Sequence, residues 1–276
     1  MPDPDHYFRK IQWSAQTDVG KFRKNNEDAF IALAVDNREI QRLGKIGDAT
    51  TELRDFVFAV SDGMGGAKAG EFASQIAVDH IAHVLPKSFR SAALGWNTGF
   101  KDVLELLFDG IHADVTKMGK SYQECSGMGA TLSLGWLGPE WLYFAHVGDS
   151  RIYHFPKASD MRQVTHDHTR AGYLQRTGKI NEREARNHPS RNSLQQTLGG
   201  RTQFLEPHIG AVKHEPGDFF LFCSDGLTDG IWNRRLDELV RSCKPEDQDA
   251  LAKDLVDFSV QASGRDNTTA IVVAIH

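Results

Sequence analysis

The sequence has few cysteines. It contains three, Cys125, Cys223 and Cys243, which are widely spaced and form no Cys-x-x-Cys pair. A disulfide framework needs an even set of cysteines and a thiolate zinc site needs paired ones, so this pattern argues against both kinds of site. It favours a reducing compartment.

Long apolar runs and a basic leader are also missing. No window approaches the ~18 apolar residues needed to cross a bilayer. The first six residues, Met-Pro-Asp-Pro-Asp-His, carry acidic groups and prolines, whereas a secretory signal needs basic charge followed by an apolar segment. We therefore expect a cytoplasmic protein that does not associate with a membrane.

There is no excess of basic residues. Lys and Arg total 32 against 37 for Asp and Glu, which gives a net charge of -5. Without a general polyanion-binding field, nucleic acid is not an expected partner. The charge does not exclude a phosphorylated ligand, because bound divalent cations would invert the sign locally. Neither a P-loop nor a Gly-rich βαβ fingerprint is present.

Hydrophobic periodicity predicts an α+β layered domain. Apolar residues at helical spacing predict helices over 68–85, where Pro86 is expected to end the first one, and over about 100–118. Runs with strand-like alternation then predict a hairpin over 131–137 and 141–147. Residues 36–54 are polar and suggest a long excursion before the strand that leads into Asp62. Further strands are expected over 11–20, 29–33, 152–155, 219–223 and 269–274, with helices over 236–240 and 245–262.

Residues 163–200 are the least regular segment, and we expect them to form a mobile surface flap on a single domain spanning 1–276. Asn181 is a good cap for a short helix that ends before His188-Pro189. His166 and His168 could suggest zinc. Their His-x-His spacing lacks further ligands nearby, so zinc is not the favoured interpretation.

One acidic residue follows an apolar run in an unusual setting. Asp62 comes directly after the run 56–60 and is followed by Gly-Met-Gly-Gly, so it should lie at the exit of a buried strand. A carboxylate there could bind a metal, and the Gly63 carbonyl could assist. Taken alone, however, Asp-Gly fits an ordinary turn better.

The same pattern recurs along the chain. An acidic residue beside Gly or Asn, at the edge of an apolar strand, occurs at Glu27/Asp28, Asp62, Asp225 and Asp266. Glu27 and Asp28 alone would fit a solvated hairpin loop. Crowded carboxylates repel, however, so a convergent set usually holds cations. Oxygen ligands without His or Cys favour Mg²⁺ or Mn²⁺ over zinc.

Eight motifs in a fixed order cover nearly the whole chain. They are Gly20-x-x-Arg23-x-x-Asn26-Glu27-Asp28, Asp62-Gly63-Met64-Gly65-Gly66, Gly127-Met128-Gly129-Ala130-Thr131, Val147-Gly148-Asp149-Ser150-Arg151, Asp167-His168, His188-Pro189-x-Arg191-Asn192, Ser224-Asp225-Gly226-Leu227 and Asp266-Asn267. In order and spacing they resemble the metal-dependent serine/threonine protein phosphatases of type 2C. The Asp-Gly-Met-Gly-Gly form resembles the bacterial branch.

The resemblance implies a four-layer α-β-β-α sandwich in which two antiparallel sheets are flanked by helix pairs. It also implies hydrolysis of phosphoserine and phosphothreonine in proteins, opposite a serine/threonine kinase. A hydroxide shared by two Mn²⁺ or Mg²⁺ ions would attack phosphorus in line, with no protein nucleophile. The alternatives are a catalytically dead relative that binds phosphoproteins and a hydrolase of small phosphate esters. Retention of every ligand carboxylate argues against the first.

The resemblance also assigns residue roles. Asp62 would bridge the two metals, with Asp225 and Asp266 completing one coordination sphere. Glu27 or Asp28, with the Gly63 carbonyl, would serve the other ion directly or through water. Arg23 matches the phosphate-binding arginine, and its guanidinium can donate two hydrogen bonds to one anion.

Two positions depart from the family pattern. Met64 stands where some eukaryotic relatives have a histidine proposed to protonate the leaving oxygen, so we expect a metal-bound water or solvent to supply that proton. Bacterial relatives often bind a third, weaker metal. Glu124 and Asp167 are its candidate ligands here, with Asp225 shared, although Ser126 stands at one matching position and argues against the site.

Overall fold

The structure is a computed structural model that describes residues 8–36, 39–93, 99–200 and 202–276, the side chains of 67 and 86–93 excepted. Its strands are β1 (Lys10–Asp18), β2 (Asp28–Val35), β3 (Ile40–Arg42), β4 (Ile46–Thr50), β5 (Asp55–Met64), β6 (Gly129–Ala130), β7 (Leu132–Leu137), β8 (Trp141–Val147), β9 (Arg151–Phe155), β10 (Arg162–Gln163), β11 (Leu198–Gly199), β12 (His208–Lys213), β13 (Phe219–Cys223) and β14 (Thr268–Ile275). Its helices are α1 (Ala67–Ala93), α2 (Phe100–Ser121), α3 (Arg170–Arg176), α4 (Glu182–Arg186), α5 (Asp225–Gly230), α6 (Asn233–Arg241) and α7 (Gln248–Ala262).

The strands form two antiparallel sheets. The first has the order β10-β9-β13-β14-β1-β4. The second has the order β11-β6-β5-β7-β8-β12, and β2 pairs with both β5 and β3 beside this path. Because the carboxyl end of β5 and the start of β2 are neighbours, residues from distant parts of the chain meet at one edge of the second sheet.

Three apolar clusters define four layers. The central cluster lies between the sheets and includes Trp13, Phe58 and Phe222. Helices α1 and α2 cover the outer face of the second sheet, where Phe108 is fully buried. Helices α5 to α7 cover the first sheet and bury Leu255 against it. The α-β-β-α sandwich expected from the sequence is confirmed.

One expectation about regular structure was wrong, and one was incomplete. Helix α1 continues through Pro86 to Ala93. Proline removes only one helical hydrogen bond and disfavours a helix without forbidding it, so spacing alone placed the end too early. The polar segment 36–54 contains β3 and β4, because edge strands need not be apolar on both faces.

The segment 163–200 carries two short helices. Asn181 caps α4 as expected: its side chain accepts from the Glu184 N–H at 3.0 Å, and Glu184 Oε2 accepts from the Asn181 N–H at 2.8 Å. The helix ends at Arg186, before His188-Pro189. This reciprocal capping box satisfies two main-chain donors that a five-residue helix would otherwise leave open. Within the described ranges, none of the helices has the length and apolar character needed to span a bilayer.

Candidate active site

Two carboxylates lie opposite each other where β2 meets β5. Asp28 begins β2 and pairs in register with Asp62 near the end of β5. Directly opposed residues of antiparallel strands project to the same face, and like charges there repel. On the other side of β5, the Asp62 N–H donates to Thr131 Oγ1 at 3.0 Å and the Asp62 carbonyl accepts from the Thr131 N–H at 2.8 Å. The main chain therefore fixes Asp62 beside Asp28.

Asp225 and Asp266 reach the same place from the first sheet. Asp225 opens α5 directly after β13, and Asp266 precedes β14. The two segments approach so closely that a Cβ on Gly226 would lie 2.0 Å from the Asn267 carbonyl oxygen. Only glycine permits that approach. As a result, Asp62, Asp225 and Asp266 line one cleft of about 230 Å³.

The cluster is strongly acidic and partly buried. Burial raises the pKa of Asp62 well above its usual value, and Asp28, Asp225 and Asp149 raise it further. Burial, followed by the charge of Asp149, does the same to the pKa of Asp225. Burial also raises the pKa of Asp28 to about 6. These carboxylates need a positive counter-charge to be ionised together at neutral pH.

Two buried carboxylate oxygens have no hydrogen-bond partner among the described residues, Asp28 Oδ1 and Asp225 Oδ1. The other oxygen of Asp28 accepts from Ser224 Oγ at 2.7 Å. Buried polar atoms in proteins nearly always have a partner. A hard cation or its coordinated water would satisfy both atoms, so the donor set fits Mg²⁺ or Mn²⁺.

Glu27 and the Gly63 carbonyl border a second small space. A Cβ on Gly70, in α1, would lie 2.2 Å from Glu27 Oε2 and 2.9 Å from Gly63 O. The Gly63 N–H also donates to the Glu27 carbonyl at 3.1 Å. Both oxygens are thus held beside the backbone of Gly70, where a side chain would fill the space that they share.

Arg23 brings the basic group. Its Nη2 donates to Asp266 Oδ2 at 2.7 Å, and 47% of its side chain is exposed. Arg23 lines the same cleft as Asp62 and Asp225. A half-exposed guanidinium at the mouth of an acidic cleft can bind an incoming phosphoryl group.

Asn267 holds the loop that carries Arg23 and Glu27. Its Oδ1 accepts from the Glu27 N–H at 2.8 Å, and its Nδ2 donates to the carbonyls of Val19 at 3.0 Å and Asn25 at 2.9 Å. Asn267 is nearly fully buried, at 3% exposure. The motif Asp266-Asn267 includes this residue, but the sequence does not indicate what Asn267 does. Its hydrogen bonds join positions more than 200 residues apart in the chain.

Asp149 is a site residue that sequence reasoning missed. It lines the cleft with Asp62 and Asp225, and burial and then Asp167 raise its pKa to about 7. The signal was present, since Gly148-Asp149 directly follows the buried strand β8, and Asp62 lies near the carboxyl end of the buried strand β5.

The two candidate ligands of a third metal differ in setting. Glu124 lies exposed on a short 3₁₀ turn after α2. Asp167 is buried and accepts from Arg151, with Nη2 to Oδ2 at 2.6 Å and Nε to Oδ1 at 3.0 Å. The cavity lined by Asp167 is shared with Asp149 and Asp225 but not with Glu124. The structure therefore does not bring the candidate pair together.

His166 and His168 meet two other histidines. The His166 ring stacks on His208 with centroids 3.9 Å apart, and the His168 ring lies 5.1 Å from His146. The ring nitrogens of His168 and His208 accept main-chain N–H groups of Gly148 and His166. Within the part of the chain described, no three His, Cys, Asp or Glu side chains converge tightly enough to form a complete ligand set as they stand.

That result constrains the acidic cleft as well. Among the described residues, its carboxylates line one cleft without forming such a set.

Comparison with known proteins agrees with this architecture. Residues 46–258 match the family model described as protein phosphatase 2C. The chain belongs to this family, as its motifs led us to expect.

Individual relatives match over nearly their full length. Protein phosphatase PhpP of Streptococcus pneumoniae serotype 2 is 30% identical over 266 residues, covering 96% of this chain and 98% of that protein. The serine/threonine phosphatase of S. agalactiae superposes with a TM-score of 0.77 at 25% identity, covering 96% of this chain and 100% of the other. The catalytic domain of the serine/threonine protein phosphatase PstP in complex with 2 manganese ions gives a TM-score of 0.71 at 26% identity, covering 97% and 99%.

Proposed function

We propose that this chain hydrolyses phosphoserine and phosphothreonine in proteins and opposes a serine/threonine kinase. The observation that carries the proposal is the acidic cleft, in which Asp62 and Asp225 lie beside Arg23. Two relatives that align over nearly the whole chain support the same activity, one named a protein phosphatase and one named a serine/threonine phosphatase.

Two Mn²⁺ or Mg²⁺ ions fit the cleft. Asp62 would contribute a ligand to both sites, Asp225 and Asp266 would hold one ion, and Glu27 with the Gly63 carbonyl would hold the other; Asp28 would act directly or through water. When bound, such ions supply an activated water and offset negative charge on the phosphoryl group. The catalytic domain of PstP, a protein of similar fold, forms a complex with two manganese ions, which supports the number of ions and Mn²⁺ as one of them.

Arg23 would bind the phosphoryl group. Its loop is fixed by Asn267 independently of the Arg23–Asp266 contact, so the guanidinium can turn to the substrate while its backbone stays in place. A positioned, bidentate donor stabilises the charge that spreads over phosphoryl oxygens during transfer.

Cys223, two residues before Asp225, is not suited to nucleophilic attack. Cys223 is fully buried in β13, and burial raises the pKa of its thiol to about 12, so it stays protonated. We infer direct attack by water on phosphorus. The P–O bond to the serine or threonine oxygen then breaks, and inorganic phosphate leaves.

The proton for the leaving oxygen would come from water. Met64 lines the cleft and cannot donate a proton. Burial lowers the pKa of His168 to about 4, which leaves that ring neutral at pH 7 and unable to serve as a general acid.

Substrate class can be tested with three substrates. Phosphothreonine and phosphotyrosine peptides of one sequence, and para-nitrophenyl phosphate, should be compared by kcat/KM in Mn²⁺. We expect the phosphothreonine peptide to be preferred. A preference for the small ester over both peptides would overturn the proposal in favour of a small-ester hydrolase.

A further inference from the structure

The inner face of α3 belongs to the surroundings of the active site. Ala171, Gly172 and Gln175 line a cavity whose other walls include Asp149 and Asp225, both part of the acidic cluster. Helix α3 therefore lines a cavity that borders the acidic cluster.

The outer face of α3 carries a basic and aromatic stripe. Arg170, Tyr173 and Arg176 recur at every third residue and are all exposed, and Lys179 follows in the turn after the helix. We call these four residues the flap stripe. Tyr173 is 48% exposed. The Arg176 guanidinium lies 5.7 Å and the Lys179 ammonium 5.8 Å from the centre of the Tyr173 ring.

These cations lack acidic partners in the described structure, since no ion pair joins a carboxylate to Arg170, Arg176 or Lys179. The neighbouring arginines behave differently. Arg186 pairs with Glu182 and lies over the Trp232 ring, and Arg191 pairs with Asp229 at 3.0 Å. Arg191 thereby holds the segment 163–200 against α5, and Arg186 holds it against the residues that follow α5. The residues of the flap stripe are exposed, and Arg176 also lines a cavity with His166 and Asp167, on a chain of net charge -5.

We propose that the flap stripe binds an acidic segment next to the phosphorylated residue of a protein substrate. The proposal rests on the proposed phosphatase function and adds the sequence context that the enzyme prefers. Three cations without carboxylate partners supply charge complementarity, and Tyr173 offers a flat apolar surface that holds two of them in place. Because α3 lines a cavity that shares Asp149 and Asp225 with the catalytic cleft, one extended peptide can reach both places.

The test uses two phosphothreonine peptides of equal length, one with Asp and Glu and one with Asn and Gln flanking the phosphoresidue. The wild type should prefer the acidic peptide in kcat/KM by about tenfold, the combined effect of a few exposed ion pairs, and mostly through KM. Raising the salt concentration should reduce the preference.

The double charge reversal Arg170→Glu with Arg176→Glu should abolish or invert this preference. Turnover of para-nitrophenyl phosphate should stay within about twofold, which reports an intact catalytic centre. The matched control is Lys101→Glu with Lys117→Glu on the exposed face of α2, which makes the same change in net charge and should keep the preference. Arg176→Lys should also keep it.

The outcomes separate the two proposals. If the wild type hydrolyses neither peptide in Mn²⁺, the phosphatase function fails and the inference fails with it. If both peptides are hydrolysed and the flap reversal leaves the preference unchanged, or the α2 control removes it equally, only the docking surface is refuted. Binding of the wild type and the Arg170→Glu, Arg176→Glu variant to single-stranded DNA and to anionic vesicles should also be compared. If the variant lost such binding but kept the peptide preference, an acidic protein segment would be refuted as the occupant.

Discussion

Replacing Asp28 by asparagine should stabilise the protein when divalent ions are absent. Asp28 faces Asp62 across the strands, and burial raises its pKa to about 6 from an ordinary 3.8. Keeping it ionised in the folded state then costs on the order of 3 kcal/mol at pH 8. Asparagine has no such charge, still accepts from Ser224 Oγ, and can donate towards Asp62.

The sign of the pH dependence follows from the raised pKa. The wild type loses stability as the pH rises from about 4 to about 6, because the Asp28 carboxylate must ionise in the folded state. The asparagine of Asp28→Asn does not titrate. The advantage of Asp28→Asn should thus be largest at pH 8 and fall to about half at pH 5. Urea unfolding in a chelator, followed by circular dichroism at both pH values, measures it.

A charge-matched control and a metal titration sharpen the experiment. Asp48→Asn removes an exposed carboxylate that pairs with Lys10 at 3.4 Å, and should change stability by no more than about 0.5 kcal/mol. In saturating Mn²⁺ the wild type should become more stable than Asp28→Asn, because a ligand that binds the native state raises the free energy of unfolding. An Asp28→Asn protein less stable than wild type at pH 8 in chelator would refute the reasoning.

Three further predictions concern neighbouring residues. Asn267→Ala should raise KM for a phosphothreonine peptide severalfold and weaken Mn²⁺ binding, and the KM effect should vanish in an Arg23→Ala background if Asn267 acts through that arginine. Asp218→Ala is the control. It also loses three hydrogen bonds, but Asp218 lies at the opposite end of β13, so the variant should lower stability without changing KM or Mn²⁺ binding measured by calorimetry. Cys223→Ser should retain turnover within about tenfold; complete loss with an unchanged melting temperature would point to a thiol nucleophile. His168→Gln should leave the basic limb of the pH–rate profile in place, and disappearance of that limb would identify the histidine as the acid.

The sequence predicted the site residues that follow a buried strand. Asp62 and Asp225 are recognisable because an apolar run predicts a strand and an Asp-Gly pair comes after it, although β5 continues through its Asp-Gly to Met64. Asp149 carries a similar signal, since it follows β8, but Gly-Asp-Ser has no role of its own in the sequence pattern. Local pattern was sufficient wherever a residue's position depended on its own strand.

Features that depend on distant contacts could not be predicted. The three bonds of Asn267 exist only once β14 lies beside the loop after β1, and no local pattern encodes that approach. The sequence indicates Glu124 as a candidate metal ligand because it comes just before Gly-Met-Gly. In the structure, however, Glu124 is exposed on a short 3₁₀ turn. The sequence predicted that α1 ends at Pro86, but the helix continues to Ala93. Packing of α1 against the second sheet outweighs the one hydrogen bond that proline removes.

The central claim is that carboxylates from both sheets hold the cations on which hydrolysis depends. The most direct measurement is phosphate release from a phosphothreonine peptide, in Mn²⁺ and in chelator, by the wild type, Asp62→Asn and Asp225→Asn, with Mn²⁺ binding followed by calorimetry on the same samples. We expect activity in the wild type with Mn²⁺ only, and a loss of about 10²-fold or more, with weakened Mn²⁺ binding, in each folded variant. Activity that survives chelation, or either substitution, would contradict the account.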